Sequence, residues 1–241
     1  MKIISLNTWA GRIHQPLMDF FKKNKDIDIF CLQEIYHEAE GKEPDARSED
    51  AHNLFIDIKN ALPLYEGYFR PAFEDFYGQA IFIRKNITIE EEGDVFIFEN
   101  NNPEQRGIHS RNLQYIRLNI SGKPTLIANV HGLWNGQGKT DTPDRLEQSR
   151  KISEFLNKSS DQKILCGDFN LSPDTESLAI VEKGMRNLVK EHGITSTRTS
   201  FYDKENKFAD YILVSSEVIV KDFRVLPDEV SDHSPLLIEI E

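Results

Sequence analysis

The chain has 241 residues, 39% of them hydrophobic and 10% aromatic, enough to bury a sizeable core, and its 29% charged share argues against wholesale disorder. With 40 acidic against 29 basic residues the formal net charge is −11. Affinity for long nucleic acid rests largely on neutralising phosphates, so this balance argues against tight nonspecific duplex binding, though it leaves room for a local basic strip.

The first residues, Met1-Lys2-Ile3-Ile4-Ser5-Leu6, follow a strand pattern rather than the order of a secretory signal. No apolar run reaches the roughly 18 residues that span a bilayer, so no transmembrane segment and a cytoplasmic location are expected. Next, residues 3–6 form an apolar strand that ends at Asn7. Residues 16–21 read as a helix with Pro16 in its first turn. A second buried strand covers 28–32 and ends at Gln33 and Glu34, and the polar, acidic stretch 36–50 reads as an exposed loop.

Residues 52–62 have helical spacing through Leu54, Phe55 and Ile58, stopped by Pro63. Strands follow at 79–84, 87–98, 112–120 and 125–130, the last two joined by a turn at Gly122 that suggests a hairpin. Residues 144–156 are helical, 163–166 form a strand running into Gly167-Asp168, and strands at 210–214, 219–226 and 236–240 close the chain. Cys31 and Cys166 each sit in one of the apolar runs and read as buried thiols, without the further ligands a zinc site requires. No repeat, low-complexity tract or linker divides the chain. One domain over 1–241 is expected, with two packed sheets flanked by helices.

Polar residues recur where these strands end: Asn7, Glu34, His131, Asp168 and Asn170. Strand ends of a packed sheet can converge, and loops on such a rigid base commonly hold catalytic groups. Carboxylates and amide oxygens are hard ligands that suit Mg²⁺ or Mn²⁺. Such a cation neutralises a phosphoryl oxygen and a leaving oxygen, and a histidine paired with a carboxylate can orient or deprotonate water. Taken singly, each segment is more often a turn or a solvated charge. The order of the whole set is what gives it weight.

The segments Leu6-Asn7-Thr8-Trp9, Leu32-Gln33-Glu34, Asn129-Val130-His131, Gly167-Asp168-Phe169-Asn170, Ala209-Asp210-Tyr211-Ile212-Leu213 and Ser231-Asp232-His233-Ser234-Pro235 span nearly the whole chain. Together they resemble the endonuclease/exonuclease/phosphatase superfamily, which includes pancreatic deoxyribonuclease, AP endonucleases, inositol polyphosphate 5-phosphatases, neutral sphingomyelinases and deadenylases. The resemblance implies an α/β fold, a four-layered sandwich of two mainly antiparallel sheets with the site at one end. It implies that Glu34 is the principal metal ligand, supported by Asn7 and Asp232. It implies that Asp168 and Asn170 orient the nucleophilic water, contact the phosphate or hold a second cation. His233, paired with Asp210, would act on the water or the transition state, and His131 would donate to a phosphate oxygen.

No subfamily pattern is matched throughout. Trp9 stands where AP endonucleases usually have an acidic residue, and Gly-Asp-Phe-Asn-Leu-Ser differs from the 5-phosphatase pattern. The Leu-Asn-Thr-Trp opening is somewhat like neutral sphingomyelinases, and Gly-Asp-Phe-Asn-Leu-Ser-Pro is similar to deadenylases. Substrate choice is expected to lie in the flanking loops. The acidity of 36–50 would repel a long polyanion, and 99–111 brings Arg106, His109 and Arg111. Arg111 precedes a strand where some nuclease relatives contact phosphate with arginine; an ordinary surface arginine fits equally well. Trp134 is expected to cap the core.

The expectation is a Mg²⁺-dependent (or Mn²⁺-dependent) hydrolase acting as a monomer on a phosphate ester, either nucleic acid or a smaller phosphorylated molecule. Its acidic charge favours smaller or single-stranded substrates. The competing expectation is a catalytically silent module of the same fold that binds phosphate ligands.

Overall fold

The β-branched and aromatic runs pair into two six-stranded sheets. The computed structural model describes residues 1–42, 47–100 and 108–241. Arg106 and the 43–46 part of the acidic segment lie outside them. In spatial order the first sheet runs β11 (Val220–Val225), β12 (Leu236–Ile240), β1 (Lys2–Asn7), β2 (Ile29–Tyr36), β4 (Tyr77–Arg84) and β3 (Tyr65–Phe73). The second runs β5 (Ile89–Phe98), β6 (Arg111–Ile120), β7 (Lys123–His131), β8 (Gln162–Asp168), β10 (Asp210–Ser215) and β9 (Met185–Asn187).

Successive side chains on a strand point to opposite faces, and both faces of the first sheet are apolar. Ile4, Leu6, Phe30, Leu32 and Phe82 pack outward on α1 (His14–Lys23) and α2 (Leu54–Ala61). Ile3, Ile29, Cys31, Ile81 and Ile83 join the core shared with the second sheet. Beyond the second sheet lie α3 (Pro143–Asn157), α4 (Glu176–Glu182) and α5 (Leu188–Glu191), which contribute Ile152, Leu156, Leu178, Val181 and Leu188 to that core. Four layers result, as expected. Both cysteines are fully buried and free.

Each sheet contains one parallel pair, β1 with β2 and β7 with β8, among otherwise antiparallel ladders. The carboxyl ends of these four strands carry Asn7, the Gln33-Glu34 corner, His131 and Asp168. Their antiparallel neighbours begin at the same rim, since Asp210 pairs with Asp168, Leu113 with Val130 and Tyr77 with Tyr36. Buried amides link the two sheets just below this rim: Gln33 Nε2 donates to Asn129 Oδ1 at 2.6 Å, and Asn129 Nδ2 donates to the Leu32 carbonyl at 3.1 Å. A buried amide that finds partners on the facing sheet favours one relative placement of the two.

Three local readings of the sequence differ from the structure. First, β2 continues through Glu34 to Tyr36 because a bulge, where the register against β4 shifts between Gln33 and Ile35, absorbs the irregularity. Tyr36 and Ala39 are consequently buried rather than part of an exposed loop. Second, β3 was not expected because Gly67 and Pro71 interrupt its pattern. It is an edge strand with a register shift between Pro71 and Phe73, where proline is tolerated. Third, α4, β9 and α5 are short elements without a distinct periodic signal.

Two glycines set the approach of the parallel strands to the site. A Cβ on Gly167 (φ +140°) would lie 2.0 Å from the Val130 carbonyl oxygen, and one on Gly132 would lie 2.2 Å from that of Phe169. Gly167→Ala is therefore expected to cost about 3 kcal/mol, combining backbone strain and overpacking. Gly122→Ala, at φ +85° with open space around it, should cost about 1 kcal/mol. Denaturant titration of the two variants measures the difference.

Candidate active site

Asn7 ends β1 with its amide at the junction of the sheets. Its Nδ2 donates to Glu34 Oε1 at 3.0 Å and to Asp168 Oδ2 at 2.9 Å, while its Oδ1 accepts from the Trp9 backbone N–H at 2.9 Å. One side chain thus ties a carboxylate of the first sheet to one of the second. Trp9 and Ala10 hold φ near 51° and 53°, left-handed values that are uncommon for residues other than glycine. Glu34, also left-handed at φ 58°, sits on the β2 bulge. A bulge re-aims the side chain it carries, and here the carboxylate reaches the rim instead of following the pleat.

The turn after β8 is held by its own polar groups. Asp168 Oδ1 accepts from the Asn170 backbone N–H at 2.8 Å, and Asn170 Nδ2 donates to the Gly132 carbonyl at 3.2 Å. Asn170 is left-handed at φ 53°, a conformation asparagine tolerates. Phe169 anchors the turn, edge to face with Tyr211 at 5.4 Å.

The two histidines present opposite chemistry. Arg111, itself buried, donates from Nη1 to His131 Nδ1 at 3.4 Å. Since arginine only donates, the His131 proton is placed on Nε2, 3.8 Å from Glu34 Oε1 and 4.0 Å from Asp168 Oδ2. His233 Nδ1 lies 2.9 Å from both oxygens of Asp210, and Thr197 Oγ1 donates to Asp210 Oδ2 at 3.0 Å. The His233 proton therefore sits on Nδ1, and its Nε2, 3.6 Å from Asp168 Oδ2, carries a lone pair. Burial and the Arg198 guanidinium push His233 down to about 4, and burial pushes Asp210 up to about 6. At neutral pH the pair is an ionised carboxylate orienting a neutral imidazole.

These groups open into a cleft of about 440 Å³. Six cationic side chains line it (Arg12, Arg47, Arg111, Lys139, Arg198 and Lys204) against three carboxylates, Glu34, Asp168 and Asp232. Basic side chains thus outnumber acidic ones in the lining of a cleft in a protein of net charge −11, and two of them are ion-paired, Arg12 with Asp50 and Arg198 with Asp232. Trp134, expected to cap the core, is instead half-buried on this wall, with Lys204 Nζ 5.7 Å from its ring centroid. His109 also lines the cleft, stacked on Phe73 at 4.2 Å.

The donor set suits a hard divalent cation. Burial pushes Glu34 up to about 7, reinforced by Asp232 and Asp168 and opposed by the Asn7 hydrogen bond. Asp232 Oδ2 accepts from Arg198 Nη1 at 2.8 Å, but its Oδ1 is buried with no hydrogen-bond partner among the described residues. A crowded carboxylate group with one orphaned oxygen is an arrangement that a cation would neutralise. Among the described residues, two groups of ligand atoms gather within 4.8 Å: Glu34, His131 and Asp168, and Asp168, Asp210 and His233.

All nine residues singled out in the sequence, Asn7, Glu34, Arg111, His131, Asp168, Asn170, Asp210, Asp232 and His233, come to this one rim. Two are arranged differently from the expected ligand set. Asn7 turns its amide nitrogen toward the carboxylates, because its oxygen is held by Trp9, so it acts as a bracket. Asp232 falls in neither compact group and is held by Arg198. Arg111 is buried rather than a surface arginine. Missed altogether were Arg198, Thr197, Lys139 and Tyr202. Their local sequence, a polar stretch at 196–207 and a lysine in a glycine-rich loop, resembles any surface turn.

The family described as Endonuclease/Exonuclease/phosphatase family matches residues 4–233, and the chain belongs to it. That family is one of phosphoesterase hydrolases. Among curated proteins none gives a significant match. The fold is similar to that of a mannosyl-6-phosphatase from Bacteroides thetaiotaomicron (TM-score 0.78, 20% identity, covering 100% of this chain and 99% of that one). It is similar also to a functionally unknown conserved protein from Enterococcus faecalis (TM-score 0.77, 20% identity, 100% and 99% covered). A third similar structure is TDP2 of D. rerio complexed with single-strand DNA product (TM-score 0.72, 17% identity, 100% and 98% covered). At these identities the likeness carries the fold. No helix among the described residues is long and apolar enough to cross a membrane.

The raised Glu34 sets a pH dependence. A carboxyl group whose folded pKa, about 7, exceeds its ordinary 4.5 favours the protonated folded state, so its ionisation weakens the metal-free fold as pH climbs through that window. A cation competes with that proton. The affinity for Mg²⁺, followed by calorimetry, should rise steeply from pH 5.5 to 7 and level off above, and Glu34→Gln should flatten the profile.

Proposed function

We propose that the chain is a divalent-cation-dependent hydrolase that cleaves phosphate esters by in-line attack of water. The observation that carries this reading is that His131 Nε2 and His233 Nε2 both face Asp168 Oδ2, at 4.0 and 3.6 Å, while their Nδ1 atoms meet a donor, Arg111, in one case and an acceptor, Asp210, in the other. Glu34 would be the principal donor to Mg²⁺ or Mn²⁺, beside Asp168, with the free oxygen of Asp232 completing the acidic set. Hard cations of this kind keep part of their water shell, so a spread donor set suits them. When bound, the cation supplies the positive charge that neutralises a phosphoryl oxygen and the departing oxygen.

The remaining work belongs to the protein's own groups. Asp168 and Asn170 position water beside His233, whose Nε2 takes the proton as the oxygen–phosphorus bond forms. Asp210 holds the imidazole in the required tautomer and stabilises the imidazolium that results. His131 Nε2–H and Arg111 contact the phosphoryl oxygens, where negative charge accumulates. The leaving oxygen departs with the electron pair of the broken P–O bond and acquires a proton from solvent. Two of the similar structures bear names that refer to a sugar phosphate and to DNA, so support for this reading stops at the phosphate group that both share.

The test is hydrolysis over a panel of phosphomonoesters and phosphodiesters with Mg²⁺ or Mn²⁺ and with chelator. Chelator should abolish turnover. Glu34→Ala, Asp168→Ala and His233→Ala should each lower kcat/KM by about 10³-fold or more. Losses of tenfold or less in all three, with folding intact, would contradict the assigned roles.

A further inference from the structure

A buried guanidinium stands behind one wall of the cleft. The connection 132–142 joins β7 to α3 and carries Trp134 and Lys139, both of which line the cleft. Its tip, Gly136-Gln137-Gly138, is exposed. A tip of this composition has many conformations open to it, so its placement has to come from its two ends. Arg145, in the first turn of α3, reaches both ends and is itself fully buried.

The donors of Arg145 go to main-chain carbonyls rather than to a carboxylate. Nε donates to the Leu133 carbonyl at 3.2 Å and Nη1 to the Thr140 carbonyl at 2.7 Å. Nη2 is buried with no hydrogen-bond partner among the described residues. The same helix adds two further ties. Gln148 Oε1 accepts from the Leu133 N–H at 2.8 Å, and Thr142 Oγ1, at the N-cap, accepts from the Arg145 N–H at 3.3 Å. From outside, the Ser172 N–H donates to the Lys139 carbonyl at 2.8 Å.

Burying a guanidinium without a carboxylate partner is unfavourable, and an apolar side chain of similar volume would fill the space without that penalty. An apolar side chain could not, however, satisfy the carbonyl of Leu133, a residue with no solvent exposure. A buried carbonyl that loses its donor has to move toward water, and Trp134, the next residue, would move with it. Arginine suits the position because its planar fork delivers donors in fixed directions.

We infer that Arg145 is a positioning residue, which acts through the 132–142 connection to set where Trp134 and Lys139 stand in the cleft, and so which esters fit beside the scissile phosphate. Its side-chain hydrogen bonds go to Leu133 and Thr140 and to none of the groups assigned to the chemistry. The consequence for hydrolysis rests on the proposed phosphoester reading; the consequence for the connection does not.

Two measurements on the full chain with Arg145→Met test this. Amide hydrogen exchange at Leu133 and Ser172, whose N–H groups tie down the connection, should quicken about tenfold or more, with the amides of β7 and β8 changed by less than about threefold. On an ester that the wild type hydrolyses, KM should rise about tenfold with kcat held within about threefold, since the substrate is gripped less well while the reacting groups stay in place. A variant that merely loses stability has a smaller folded fraction, which lowers the apparent kcat and leaves KM unchanged. That result overturns the inference, as does unchanged exchange at Leu133 and Ser172. Arg145→Lys, which keeps the charge without the fork, should shift exchange and KM in the same direction, and it carries the comparison if the methionine variant does not fold. If the wild type turns over no ester, the proposed chemistry fails by itself, and exchange alone decides whether Arg145 holds the connection.

Discussion

The architecture depends on a buried amide that joins two stacked sheets. Asn7 donates at once to Glu34 of its own sheet and Asp168 of the other, and it can do so only because its oxygen is held by the backbone of Trp9. That contact fixes which end of each sheet becomes a site. The parallel pairs β1–β2 and β7–β8 deliver their carboxyl ends to it, and the antiparallel neighbours start there, so residues far apart in sequence arrive at one rim. The inter-sheet bonds of Gln33 and Asn129 hold the same alignment from below.

Charge is distributed to match. The protein is acidic overall, yet its cleft is lined by more basic than acidic side chains. Its three carboxylates form an inner cluster, and the cations form the walls. Burial makes Glu34 reluctant to ionise, and a divalent cation would relieve that. Electrostatics within such a partly dry cleft act more strongly than the same charges in bulk water.

Much of the fold and the inner site was legible in the sequence because both depend on short-range signals. Apolar runs of four to eight residues ending in Asn, Glu, His or Asp gave the strands and their polar termini together. What was not legible depends on three-dimensional context. The β2 bulge leaves no mark in composition, yet it decides where the Glu34 carboxylate goes. Asn7 was readable as a polar strand end, but the hydrogen bonds that orient its amide, from the Trp9 N–H and to Glu34 and Asp168, appear only in the fold. Arg198 and Lys139 come from loops whose residues look like solvated surface until the chain folds them against Asp232 and Tyr202. Trp134 followed the same logic in reverse, an apolar residue that lines the opening instead of the core.

The central claim is that this rim holds a divalent ion between the sheets. A crystal of the full chain soaked in Mn²⁺ and measured at the manganese absorption edge tests it most directly. An anomalous peak is expected within coordinating distance of Glu34, with Asp168 or the free oxygen of Asp232 as a further neighbour. A fully occupied peak elsewhere on the molecule, with none at Glu34, would contradict it.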